Sequence, residues 1–344
     1  MIGIRRLAEH LGLSIGTVSR ALNDRPDVSA ETRKRVMDAA EQLGYVPNQS
    51  GQSLRKGTTN AIGFMIQSGF DPSSNSDNFF LGVFDGVQIV LRRHNLDLTV
   101  LPCPMDEDPA QYLQRMVARR GVDAMIISAT RRIDPRIDML IKARMPFIAL
   151  GRSTSGSNYP WIDLDFEGVA NVAIDRLVAR GHHRIALGLP SNDINLGYVF
   201  LEGYKAALKR HKLSFDPALV ARVATSEQGG YQLTHQILAM QPRPSAVLLV
   251  YEMMAVGAYR RLNEAGLVPG KDLALITFRE PPLARFLSPS LTCFRMSLRD
   301  LGVTLGESLL ATMPEFASTY PNGVVNKIWP LELVPGESDP ILSE

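Results

Sequence analysis

Ile4-Arg5-Arg6-Leu7-Ala8-Glu9-His10-Leu11-Gly12-Leu13-Ser14-Ile15-Gly16-Thr17-Val18-Ser19-Arg20-Ala21-Leu22-Asn23 reads as two short helices around a glycine. Ile4, Leu7, Ala8 and Leu11 recur at helical spacing and give the first helix one apolar face. Gly12 stops that helix, because glycine enters the left-handed region without steric cost. Ser14 then caps a second helix that packs Val18, Ala21 and Leu22 inward and turns Ile15, Gly16, Thr17, Ser19 and Arg20 outward. A capped helix with hydroxyls and a guanidinium outside, following a glycine turn, is a helix-turn-helix layout suited to a DNA major groove. The competing reading is a pair of ordinary surface helices.

The sequence beyond favours the first reading. Ser29, Thr32 and Arg33 open a third helix, Gly44 closes it, and Tyr45-Val46-Pro47-Asn48 and Ser53-Leu54-Arg55-Lys56-Gly57 follow. Residues 1–57 hold nine Lys/Arg against six Asp/Glu, a surplus of three positive charges. The remaining chain holds 28 against 29, so the overall charge of +2 hides a segregation toward one end.

The chain resembles the lactose-repressor (LacI/GalR) family of bacterial transcription regulators. The resemblance is carried by Gly12-Leu13-Ser14-x-x-Thr17-Val18-Ser19-Arg20-x-Leu22-Asn23, Val28-Ser29-x-x-Thr32-Arg33 and Leu43-Gly44-Tyr45-x-Pro47-Asn48. It continues in Asn78-x-Phe80, Gly181-His182-His183-Arg184-Ile185-Ala186, Gly203-Tyr204-x-Ala206-Ala207-Leu208 and Leu291-Thr292. It implies that Ile15, Gly16 and Arg20 face base edges while Ser14, Thr17, Ser19 and Asn23 hold phosphates. It also implies that residues around Asn48 to Lys56 form a hinge helix on the operator, with Leu54 wedged into the minor groove. Gly51 stands where alanine is usual, which weakens that helix by about 1 kcal/mol.

Length and composition fit a head plus a larger body. With 344 residues and 45% apolar content, the chain spans two or more domains. Cys103 and Cys293 are the only cysteines and show no ligand spacing, so a reducing cytoplasm and no structural metal are expected. No leader-like start and no apolar run long enough for a membrane span is seen. After Asn60, apolar runs at Ala61–Ile66, Leu98–Leu101, Ala124–Ile127, Phe147–Leu150, Arg184–Leu189, Ala246–Val250 and Leu273–Phe278 alternate with amphipathic stretches. That alternation predicts an α/β body of two doubly wound parallel-sheet subdomains, periplasmic-binding-protein-like by resemblance, behind a small all-α head.

The expected boundaries are 1–45 for the helix-turn-helix domain, 46–58 for the hinge, and 59–344 for the effector-binding and dimerisation domain. Its first lobe spans about 60–159 and 294–321, and its second about 160–293 and 322–339, with a last strand near Lys327 to Val334. Tyr159-Pro160-Trp161 and Ser288-Pro289-Ser290 read as crossovers.

A two-lobed body holds its ligand between lobes, at the carboxyl ends of strands. Sugar-binding members of the family place an arginine three residues before the Gly203-Tyr204 motif; here that position is Phe200. The aspartate usual after the strand ending at Phe278 is Arg279, and the usual Asn-Asp before Ala255-x-Gly257-Ala258 is Tyr251-Glu252. Aromatic faces stack on sugar rings and guanidinium groups fork hydroxyls, so the expected effector is a small carbohydrate, a di- or oligosaccharide favoured. Phe80, Ser128, Arg152, Asp165, Phe200, Tyr251 and Arg279 are the expected contacts. Core packing is the alternative for Phe80 and Phe200, and a surface ion pair with Glu280 for Arg279. A sugar acid or sugar phosphate anchored by Arg279, acting as corepressor, is the alternative effector.

Enzymatic readings lack support. There is no Gly-x-Gly-x-x-Gly after the first strand, no phosphate loop and no Gly-x-Ser-x-Gly elbow, and no cofactor is expected. His182 and His183 read as helix-terminal hydrogen-bonding residues, and Met253 and Met254 as core. A sugar-binding protein without a DNA role would not need residues 1–57. The partners implied are double-stranded operator DNA, a carbohydrate and a second copy of the chain. No apolar heptad follows Val334, so a dimer is expected rather than a coiled-coil tetramer.

Overall fold

The computed structural model describes residues 2–45, 58–67, 78–156, 158–280, 286–321, 323 and 325–342. It divides into two compact units, Met1–Thr59 and Asn60–Glu344. The expected contacts Asn48 and Leu54, with Gly51, lie outside the described residues.

The first unit is three helices, α1 (Ile4–Leu11), α2 (Ile15–Leu22) and α3 (Ala30–Gln42). Gly12 ends α1 at φ +62°, and Ser14 and Ser29 cap α2 and α3 by accepting from the amides of Thr17 and Thr32. Leu7, Ala8, Val18, Ala21, Val28, Val36, Ala39 and Ala40 form its buried core. Ile4, Leu11, Leu13, Leu22, Leu43 and Tyr45 pack against it, while Ile15 and Met37 stay exposed.

In the second unit, β1 (Ala61–Gln67), α4 (Asn78–Arg92), β2 (Asp97–Cys103), α5 (Pro109–Ala118), β3 (Ala124–Ile127), α6 (Pro135–Ala143), β4 (Phe147–Leu150) and β5 (Trp161–Leu164) come first. The chain continues through α7 (Phe166–Ala179), β6 (Ile185–Pro190), α8 (Asn195–Arg210), β7 (Val220–Val223), α9 (Glu227–Ala239), β8 (Ala246–Leu249), α10 (Glu252–Glu264) and β9 (Ala274–Thr277). It returns through β10 (Cys293–Arg295), α11 (Leu298–Leu310), β11 (Asn326–Trp329) and β12 (Glu332–Val334). A six-stranded parallel sheet, β11-β5-β4-β3-β1-β2, builds the first lobe, and a four-stranded parallel sheet, β7-β6-β8-β9, builds the second. Strands β3, β4, β6, β8 and β9 are buried throughout, as parallel strands covered by helices on both faces must be.

The lobe boundaries differ from those expected. β5 and β11 fall in ranges assigned to the second lobe, yet Trp161–Ile162 pair with Ala149–Leu150, and Asn326–Trp329 pair with Trp161–Leu164, in the first sheet. The stretch expected as one strand near Lys327 to Val334 is two. Pro330, which cannot donate to a ladder, separates β11 from β12, and β12 turns to pair antiparallel with β10. Among the described residues no helix is long and apolar enough to cross a membrane, and no cluster of His, Cys, Asp or Glu is arranged to hold a metal ion.

Candidate functional site

On α2 the exposed face is short and carries one charge. Ile15, Gly16 and Arg20 are exposed, while Thr17 and Ser19 are half-buried. Ser14 Oγ lies 2.9 Å from Thr17 Oγ1 and accepts from the Thr17 amide at 3.0 Å. Asn23 Nδ2 donates to the Ser19 carbonyl at 2.7 Å, so Ser14 and Asn23 close the two ends of the helix. Arg20 reaches Asp27 at 3.4 Å, an exposed pair that water screens and a stronger anion would displace. A Cβ added at Gly16 would meet only Ser14 Oγ and Arg20 Nη2, at 3.7 and 3.8 Å, so the surface there is flat by choice of residue and not by crowding.

Within the second unit, one cleft of about 1030 Å³, its open mouth included, lies at the carboxyl ends of both sheets. The first lobe contributes Gln67 at the end of β1, Ser128 to Thr130 after β3, Gly151 and Arg152 after β4, Asp163 and Leu164 from β5, and Phe79 and Phe80 from α4. Phe166 lines it at the start of α7. From the second lobe come Ile194 to Leu196 before and in α8, Val250 to Glu252 after β8, and Phe278 and Arg279 after β9.

Five of the seven expected contacts thus meet in this cleft: Phe80, Ser128, Arg152, Tyr251 and Arg279. Two do not. Asp165 caps α7, accepting from the Gly168 amide at 2.8 Å, and its neighbours Leu164 and Phe166 face the cleft instead. Phe200 is fully buried and packs against Phe166 and Phe278, because α8 begins at Asn195 and its second turn faces the core. Gln67, Phe79, Asp163, Asn195, Glu252 and Phe278 line the cleft without having been expected. Asp163 is the lone charge in the strand Trp161–Leu164, whose first residue falls in the Tyr159-Pro160-Trp161 stretch expected as a crossover.

The charges in the cleft are arranged in pairs. Arg152 Nε lies 3.0 Å from Asp163 Oδ2, and its Nη2 donates to Glu167. Burial pushes the Asp163 carboxyl up to about 7, against the pull of Arg152. Arg279 donates to Glu252, not to Glu280, which is bound to Arg295 at 2.7 Å. Burial, with the nearby Glu252, pushes the Tyr251 phenol up to about 12, so it stays a neutral donor at physiological pH. Both lobes are tied across the cleft: Asn195 donates through its amide to the Thr130 carbonyl at 2.7 Å, and through Nδ2 to the Arg152 carbonyl at 2.8 Å.

The other tempting residues are structural. His182 is buried with Nδ1 3.0 Å from Ser245 Oγ and Nε2 3.2 Å from the Pro340 carbonyl, so both ring nitrogens are spent. Met253 and Met254 are buried.

Residues 4–48 match the family model described as bacterial regulatory proteins of the lacI family, and residues 174–338 match that of a periplasmic-binding-protein-like domain. The HTH-type transcriptional regulator AglR of Rhizobium meliloti is 34% identical over 339 residues, covering 97% of this chain and 93% of that protein. The lac repressor dimer bound to operator and the anti-inducer ONPF has the same fold, with a TM-score of 0.83 over 99% of each chain at 24% identity. A LacI-family transcriptional regulator from Enterococcus faecium with bound ribose superimposes with a TM-score of 0.68 at 26% identity, over 82% of this chain and all of that one.

Proposed function

We propose that this chain, which belongs to the lacI family of bacterial regulatory proteins, is a repressor that grips a near-palindromic operator as a homodimer and is released by a neutral carbohydrate bound between its lobes. Membership makes it a DNA-binding transcriptional regulator and not an enzyme. The observation that carries the rest of the reading is the lining of the cleft. Phe79, Phe80, Phe166, Tyr251 and Phe278 offer aromatic faces, and Gln67, Thr130 and Asn195 offer uncharged polar groups between the Arg152–Asp163 and Arg279–Glu252 contacts. Aromatic walls with a few convergent polar groups suit the C–H faces and hydroxyls of sugar rings.

In the head, Ile15, Gly16 and Arg20 meet base edges, while the hydroxyls of Ser14, Thr17 and Ser19 and the amide of Asn23 meet phosphates. One head reads few base pairs, so a symmetric dimer reads a near-palindrome. Closure of the lobes on a sugar favours one arrangement of the body over another. The coupling between sugar and operator is therefore reciprocal: operator-bound protein binds the sugar more weakly by the same factor as sugar-bound protein binds the operator.

The test is gel retardation of a palindromic fragment from upstream of the protein's own operon, with neutral di- and trisaccharides titrated in. Retardation abolished by one of them is expected. A protein that shifts no duplex at low salt removes the reading, and a complex tightened by a sugar reverses its sign.

A further inference from the structure

Glu252 opens α10 where the chain leaves β8 and enters the cleft, and its side chain is only 4% exposed. Oε1 accepts from Arg279. Oε2 is buried and has no hydrogen-bond partner among the described residues. Buried carboxylate oxygens are seldom left bare, because their lost hydration must be replaced. A bare acceptor in the wall of a ligand cleft is therefore a place for a donor on the ligand.

We propose that Oε2 of Glu252 accepts a hydroxyl of the bound effector and that the Glu252–Arg279 pair makes the cleft selective for neutral, hydroxyl-bearing ligands over anions. The inference deepens the carbohydrate reading above and rests on it. The charge of Arg279 is already engaged twice, by Glu252 and by the ring of Phe79, whose centroid lies 4.6 Å from Cζ. Arg152 is likewise held by Asp163 and Glu167. Among the described residues lining the cleft, no guanidinium stands without a carboxylate. An anionic ligand would meet the oxygens of Glu252 with no unengaged cation to receive it. A hydroxyl satisfies Oε2 with a charge-assisted hydrogen bond and brings no charge of its own.

Calorimetry on the full chain tests this, with maltose, cellobiose, sucrose and melibiose as neutral probes and gluconate and glucose 6-phosphate as anionic ones. At least one neutral probe is expected to bind, more tightly than either anion. In Glu252→Gln the shape is kept and Arg279 loses its counter-charge. Affinity for that neutral sugar should fall about 10- to 100-fold while affinity for the anions rises, so their ratio moves toward the anions. Equal loss for both probe classes, or no loss, overturns the role of Glu252 and leaves the carbohydrate reading standing. Tighter binding of an anion by the unmodified protein overturns the selectivity. No binding by any neutral probe removes the proposal together with the reading beneath it. Should the single variant fail to fold by circular dichroism, Glu252→Gln with Arg279→Gln replaces the ion pair by an amide pair. It should still lose neutral affinity but gain none for anions; unchanged neutral affinity overturns the proposal.

Discussion

The guanidinium of Arg279, from the second lobe, lies 4.6 Å from the centroid of the Phe79 ring, from the first. A cation on an aromatic face contributes about 0.5–2 kcal/mol depending on its desolvation, and here it joins two lobes whose separation opens the cleft. Phe79→Ala should weaken effector binding about 10-fold, as read by calorimetry, while the melting temperature stays within a few degrees, because Phe79 is only half-buried. A large loss of melting temperature with unchanged affinity would make Phe79 a core residue instead.

Phe200 should behave in the opposite way. It is fully enclosed between Phe166 and Phe278, and truncating such a side chain costs about 3–5 kcal/mol. Phe200→Ala should lower the denaturant midpoint sharply. Affinity measured on the folded protein should change less than in Phe79→Ala.

Helices α4 and α11 approach so closely that only glycine fits at their crossing. A Cβ on Gly302 would stand 2.2 Å from the Val83 carbonyl oxygen, and one on Gly86 2.1 Å from that of Arg299. Backbone cannot yield as a flexible side chain can, so Gly302→Ala should destabilise the body by about 1–3 kcal/mol or more. Thermal unfolding should show it in the body transition and leave that of the head untouched.

The head offers two substitutions of opposite sign. Ser14→Ala removes the cap on the Thr17 amide and should cost about 1 kcal/mol of head stability, weakening operator binding with it. Gly16→Ala adds a methyl group that makes only ordinary contacts, with Ser14 Oγ at 3.7 Å and Arg20 Nη2 at 3.8 Å, and should stabilise α2 by about 0.5–1 kcal/mol. Chemical denaturation of the head followed by far-UV circular dichroism distinguishes them.

Asp163 predicts a pH dependence. Its carboxyl is raised from the ordinary 3.8 to about 7 by burial, so between these values the folded chain holds a proton that the unfolded chain has released. Stability from this group is therefore full below about pH 4, falls as pH rises toward 7, and is flat above. The slope is at most about 1.4 kcal/mol per pH unit. Asp163→Asn should flatten that limb of the stability–pH profile; an unchanged limb would mean that Arg152 keeps the carboxylate ionised throughout.

The head was legible in the sequence almost residue by residue. Its helices are set by local rules: a glycine at positive φ, a serine cap, and apolar spacing of three and four. The central strands of the body were legible too, since strands buried on both faces are continuous apolar runs. What the sequence left unresolved was whatever depends on a partner distant in the chain. β11 lies in the stretch read as a last strand, but its neighbour β5, four residues long, was not read as a strand: its hydrogen bonds come from β4 and, across more than 160 residues, from β11. Which aromatic enters the cleft was also undecided. Phe79 and Phe200 have the same side chain on similar helices, but the rotation of each helix against its sheet sends one into the cleft and the other into the core. The two substitutions at Glu252 and Arg279 announced an altered site from the sequence alone; only the folded chain, by bringing the ends of β8 and β9 side by side, made them one ion pair with an oxygen to spare.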